Sequence, residues 1–213
     1  MGAKTWMLVY SKGNPSEILK SSPVLDRAAT AAFAKRLFSS EKVTPLHDGD
    51  LTFTCPPDDE LVAGCFPGLT VLAAKEFGIN YPSKLLDKFV NALPGHTVYL
   101  HAMHSAVDWF AYAVWEDGKL RRSLSLSPDS GVLEDIGNRL PFEESYWVGE
   151  YPAVDPDEDD EYPFAFHPLE LGEAALLSLF GYQLEGLMDP TYLEPETVNL
   201  MRFTRKKPWW RFS

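Results

Sequence analysis

Hydrophobic and polar positions change rhythm several times along the chain, and each change predicts an element. Residues 4–10 form a short apolar run rich in β-formers and read as a strand. Ser11-Lys-Gly-Asn-Pro15 breaks it. Ser22-Pro23 then offers an N-cap with proline at the first helical position, so a helix is expected from there to about Phe38. Its apolar stripe is Leu25, Ala29, Ala32, Phe33 and Leu37. A polar turn at His47-Asp-Gly-Asp50 leads into residues 51–55, where apolar positions alternate with threonines as in a strand. Residues 61–66 and 69–74 read as two strands around Pro67-Gly68. The spacing of Leu85, Leu86, Phe89, Val90 and Leu93 predicts a second helix, opened by Pro82-Ser83 and closed by Pro94-Gly95.

The middle third reads as a meander of strands at 97–103, 109–115 and 119–127. Asp117-Gly118 supplies the hairpin turn between the last two. In the return strand Leu120, Leu124 and Leu126 face one way, and Arg121, Ser123, Ser125 and Ser127 the other. Trp109 and Trp115 share one parity and Phe110, Tyr112 and Val114 the other, so both faces of this strand should be covered, as in a central strand. A third helix is expected over 168–184, with Leu169, Leu176, Leu177 and Phe180 inward and Gly186 as its cap. No internal repeat or long linker divides the pattern. The expectation is a single α+β domain over residues 1–213, with a mostly antiparallel or mixed sheet and about three helices. The first βα unit is open to parallel winding.

Charge narrows the function classes. The 213 residues carry 31 acidic and 19 Lys and Arg side chains, a net charge of -12, which argues against general nucleic-acid binding. No apolar stretch approaches the roughly 20 residues that a membrane span needs. Trp6 stands where N-myristoylation wants Ser or Thr, so Gly2 is not read as a lipidation site. Asp155-Pro-Asp-Glu-Asp-Asp-Glu161 lacks the spaced ligands of a calcium loop and reads as a mobile, solvated segment. Residues 202–213 carry Arg202, Arg205, Lys206, Lys207 and Arg211 beside Trp209 and Trp210. This basic aromatic tail is expected to lie as a strap on an acidic body, in its own chain or a partner subunit, a free membrane-interface or nucleic-acid anchor being the alternative. Cys55 and Cys65 are the only cysteines and form no CxxC. They read as buried reduced thiols of a cytoplasmic protein, a disulfide between adjacent strands being the alternative.

Chemistry-bearing residues gather in one block. His101, His104 and Asp108 are two imidazoles and a carboxylate, the donor set of many zinc and iron sites, and His96 or His167 would complete it. On an extended strand, however, 101 and 104 point to opposite faces, and they converge only if the chain turns sharply near Ser105. A hydrolase reading takes His104 as base, Asp108 as its orienting acid and Ser105 as nucleophile, with Ser123 or Ser125 in its place. No G-x-S-x-G elbow supports it. The plainer reading is strand-end histidines bonded to backbone and a serine-lined strand face. Ser127-Pro-Asp-Ser-Gly131 spells either an anion-holding nest or an ordinary turn. Neither a dinucleotide nor a P-loop signature occurs, so no cofactor is expected.

Four blocks together resemble a known family: Met1-Gly-Ala-Lys-Thr5, His101-Ala-Met-His-Ser105 with Asp108-Trp109, Arg122-Ser-Leu-Ser-Leu-Ser-Pro-Asp-Ser-Gly131, and Phe166-His-Pro-Leu-Glu-Leu-Gly-Glu173. They look like a mainly actinobacterial family filed as a domain of unknown function. The resemblance runs from Met1 to about Gly186 and implies a bacterial cytoplasmic protein, with no activity or cofactor attached. Two function classes follow from the residues themselves. One is a non-enzymatic partner-binding protein, immunity-like or regulatory, whose acidity steers a basic partner. The other is a small hydrolase or metal-dependent enzyme built on His101, His104 and Asp108. A homo-oligomer without further ligand is the third reading.

Overall fold

The computed structural model describes residues 2–154, 162–186 and 189–206. Along the chain run β1 (Lys4–Ser11), α1 (Pro15–Lys20), α2 (Arg27–Leu37), β2 (Lys42–Pro45), β3 (Gly49–Asp50), β4 (Glu60–Phe66) and β5 (Leu69–Ala73). There follow α3 (Asp87–Val90), β6 (Thr97–His104), β7 (Trp109–Glu116), β8 (Lys119–Ser127), β9 (Gly131–Gly137), α4 (Pro141–Trp147), α5 (Pro168–Phe180) and β10 (Asn199–Lys206). Nine strands make one sheet in the order β2-β10-β4-β5-β1-β6-β7-β8-β9, with β3 pairing β10 at its side. The α+β expectation holds. Every pairing is antiparallel, so the parallel winding left open for the first βα unit does not occur.

Both faces of the sheet are buried. Trp6, Leu8, Tyr10, Leu72, Leu100 and Trp109 pack on one side with Phe33 of α2 and Phe89 of α3. Met7, Val9, Val71 and Met103 pack on the other with Leu176 and Phe180 of α5. Further along that second face Phe110, Tyr112, Leu124 and Leu126 meet Leu171 and Ala175. This two-sided burial is why β7 alternates bulky residues on both parities. Its first seven residues are all buried, as its pattern predicts. The Asp117-Gly118 turn forms as expected, with both residues at positive φ, the geometry that matches strand twist. Gly172 lets α5 lie close on the sheet. A Cβ there would stand 2.7 Å from Met103 Sδ and 3.2 Å from Phe110.

Several elements depart from expectation, each for a local reason. Asn14 accepts N–H bonds from Ser16 and Glu17, and Pro15 starts α1, so the stretch read as a breaker is a helix start. The next helix begins at Arg27, not Ser22-Pro23, because Asp26 caps the Ala29 N–H at 2.9 Å and Ser22 takes a positive φ. Residues 51–55 form no strand: Asp50 captures the Thr52 N–H and hydroxyl and turns the chain. The helix expected over 82–93 is a 3₁₀ turn, Pro82–Lys84, and the four-residue α3, since Leu85 and Leu86 are extended between them. Leu86 is left exposed. α5 ends at Phe180, because Gly181, not Gly186, takes the left-handed capping conformation.

Leu120 also faces away from Leu124 and Leu126. A bulge at Arg121 shifts the register between Val114 and Trp115 and reverses the alternation. Arg202, Arg205 and Lys206 are not tail residues: they belong to β10, inside the sheet between β2 and β4. Residues 207–213 and the acidic run 155–161 lie outside the described residues.

Candidate functional site

The expected histidine block is divided by the sheet. His101 and His104 sit at opposite parity on β6, and the turn at Ser105–Val107 does not bring them together. His101 faces α5 and is fully buried: the Thr5 hydroxyl donates to its Nδ1 at 2.7 Å and its Nε2–H donates to the Gly172 carbonyl at 2.9 Å. Burial pushes its pKa down to about 4, against a smaller upward pull from the Gly172 bond, so the ring stays neutral and links strand to helix. His104 lies on the other face against Trp6, with ring centroids 5.6 Å apart. Its Nδ1 accepts the Ala106 N–H at 3.2 Å, which leaves Nε2 to carry the proton. Burial and then Lys4 hold its pKa below the usual imidazole value.

Asp108 takes a left-handed conformation and stands with His167, its Oδ2 3.7 Å from Nε2. His167 Nδ1 is already committed as the N-cap of α5, accepting the Leu169 N–H at 3.3 Å. The nearest group to its Nε2 is thus a carboxylate and not a serine hydroxyl. Ser125 accepts the Trp109 indole N–H, Ser123 donates to Glu134, and the Ser105 amide bonds the Ala3 carbonyl. Among the described residues no serine hydroxyl bonds a histidine nitrogen, and no three His, Cys, Asp or Glu side chains stand close enough to hold a metal ion. The Ser127–Gly131 segment is a closed turn, its Ser130 N–H spent on Ser127. With His104, Trp6 and Trp109 it borders a shallow cavity of about 310 Å³. Cys55 and Cys65 are free, and burial raises both thiols.

Two buried glutamates were not singled out in the sequence. Glu143, at the start of α4, is fully buried under Tyr112 and Arg122. Arg122 donates to both its oxygens, from Nε at 2.9 Å and from the second guanidinium nitrogen at 2.5 Å. The Tyr112 hydroxyl and the Leu140 amide donate to it too, while Asp135 takes the remaining face of Arg122. Desolvation and the Glu143 charge push the Tyr112 phenol far up, so it stays a donor. The clue lay in parity, since Arg122 shares the inward side of β8 with Leu124 and Leu126.

Glu173 is the opposite case. It sits on α5 one turn beyond Glu170, with 8% of its surface exposed, and its Oε2 accepts the Leu184 N–H at 2.8 Å. Its Oε1 is buried with no partner among the described residues. Burial pushes this carboxyl up to about 7, with the backbone bonds pulling weakly the other way. It lies beside an open cleft of about 700 Å³ between α4, α5 and the segment after α5, whose walls include Tyr146, Tyr151 and Tyr192 and the exposed Glu170 and Glu185. Tyr146 and Tyr151 stack at 4.7 Å, and Tyr146 donates to the Glu170 carbonyl. Burial raises Tyr146 to about 12, so at neutral pH the rim phenol is uncharged. A single charged residue inside the mostly apolar run Leu171–Phe180 was the sequence signal for this site.

Among known proteins, a family model described as "Family of unknown function (DUF6928)" matches residues 5–203. No curated protein and no solved structure matches the chain. Among the described residues, no helix is long and apolar enough to cross a membrane.

Proposed function

The chain belongs to the DUF6928 family, and we propose that it is a non-enzymatic binding protein that receives a basic group of a protein partner in its tyrosine-walled acidic cleft. The observation that carries this reading is Glu173, a buried carboxyl group with no cation beside it among the described residues, next to a cleft walled by tyrosines and exposed glutamates. Proteins pair buried carboxylates with cations or shift them toward neutrality. Here the shift stands where no pairing is seen among the described residues, beside an open cleft. The net charge of -12 supports the same partner class by steering basic molecules toward the surface.

A hydrolase built on His104, Asp108 and Ser105 has less support, because Asp108 stands with His167 rather than His104 and the Nδ1 of each ring accepts a backbone N–H. A cytoplasmic location belongs to this proposal and rests on the two free cysteines. The test is binding of fluorescent basic and acidic peptides of equal length, by anisotropy, at low and high salt. The basic peptide should bind, weaken with salt, and weaken again in a Glu170→Gln/Glu185→Gln double variant. Equal affinity for both peptides, or indifference to the double variant, overturns the reading.

A further inference from the structure

The cavity of about 310 Å³ at the start of β7 lies on the sheet face opposite the tyrosine cleft. Strand register sets out its chemistry. Lys4, His104 and Trp109 stand in register on β1, β6 and β7, so their side chains share this face in one row. Trp6, on the same side of β1, has its ring 5.6 Å from His104 and 5.9 Å from Trp109. Lys75 Nζ lies 5.3 Å over the Trp6 ring. Ser127, Asp129 and Ser130 form the far wall at the end of β8, two strands or about 10 Å from β6. We infer that this cavity binds a small aromatic carboxylate, with the carboxylate on the His104 Nε2–H beside Lys4 and Lys75 and the ring against Trp109, Leu133 and Val107.

His104 supplies the donor. Its Nδ1 is held by the Ala106 N–H, so the proton sits on Nε2. That N–H has no partner among the described residues and is open to solvent. An imidazole N–H flanked by ammonium groups attracts an anion and repels a cation. Burial, then Lys4 and Lys75, hold the His104 pKa down, so both charges act on the ring. The local sign is thus opposite to the net charge of -12. Asp129 stands beyond Trp109 in the strand order, which keeps the ligand's carboxylate at the His104 end. Between the two ends the wall is apolar. Val107 is 52% exposed and Leu133 partly so, leaving surface for a ring to cover. The volume is near the lower bound of small-molecule sites and suits a single ring.

The experiment is an NMR titration of the full chain, following the His104 Cε1–H and the Trp6 and Trp109 indole N–H groups. The probes are benzoate, its neutral isostere benzamide, benzylammonium and acetate. Benzoate should shift the three reporters along one saturating curve. Each of the other probes, lacking the charge, its sign or the ring, should bind at least about tenfold more weakly. His104→Phe keeps a ring against Trp6 but removes the donor, and should weaken benzoate about tenfold. Lys4→Gln/Lys75→Gln should weaken it about threefold, because these charges are partly exposed. Lys119→Gln, on the hairpin at the other end of β8, should leave it unchanged. The wild-type comparison of probes stands even if a variant fails to fold. Benzamide, benzylammonium or acetate binding as well as benzoate overturns the inference. Full affinity in His104→Phe, or no saturable shift at millimolar benzoate, does so too.

Discussion

Glu143 and Glu173 are two buried glutamates on the same side of one sheet, and they are held in contrary ways. Glu143 has a guanidinium across both oxygens, a phenol and a backbone amide, so that both oxygens are bonded within its own chain. Glu173 has backbone on one oxygen and nothing on the other among the described residues. A saturated buried charge fastens α4 to β8 and has nothing left to offer a ligand. An unsaturated one costs stability and keeps a bond in reserve. The difference sets the first apart as architecture and leaves the second as a candidate site.

The largest test of that contrast is Glu143→Gln. Removing its charge leaves the buried Arg122 with Asp135 alone and should cost about 3 to 5 kcal/mol in denaturant unfolding. A loss below about 1 kcal/mol would put Glu143 in the same class as Glu173. His101 provides the next effect and isolates titration from pairing. Its folded pKa of about 4 lies below the ordinary 6.5, so the unfolded chain binds the proton more readily. Its stability contribution is present above pH 6.5 and is lost as pH falls toward 4, by roughly 3 kcal/mol. His101→Gln should flatten that acid slope. An unchanged slope would mean the imidazole is not the titrating group.

Glu173 titrates with the opposite sign. Its folded value of about 7 lies above the ordinary 4.5, so the folded chain holds the proton and stability falls as pH rises through that window. Because the cleft is open to solvent, the effect should be roughly 2 kcal/mol. Glu173→Gln should therefore melt a few degrees above the wild type at pH 8 and near it at pH 5. If Glu173→Gln destabilises at pH 8 as Glu143→Gln does, the contrast between the two glutamates is broken. The smallest effect belongs to Glu116, whose pair with Arg121 is about half exposed on both sides. Glu116→Gln should change stability by less than about 0.5 kcal/mol, and a larger cost would show that pairing rather than burial sets the scale.

How far each feature could be read in advance follows from the range of the forces behind it. Residues 97–127 were legible because antiparallel strands joined by short turns write their pairing into local alternation, and Asp117-Gly118 names its own turn. The opposite faces of His101 and His104 followed from strand parity alone. Helix boundaries were missed where a nearer capping side chain won, as Asp26 did over Ser22, or where apolar spacing was satisfied by two short turns instead of one helix. β10 escaped because its basic residues find partners only across the sheet: Arg202 bonds Glu60, and Arg205 bonds Glu76 and sits over Phe38.

The sequence by itself determined the α+β class, the central meander, the division of the histidines and the net acidity. Those rest on period, turn chemistry and charge count, which act within a few residues or need no geometry at all. Only the tertiary structure decided which charges are answered. Arg122 and Glu143 are 21 residues apart and Asp108 and His167 are 59 apart, and no local pattern says that either pair will meet. Glu173 became a candidate site for the same reason. Burial against the sheet withdrew it from water, and among the described residues the Leu184 amide bonds one oxygen while the other has no partner.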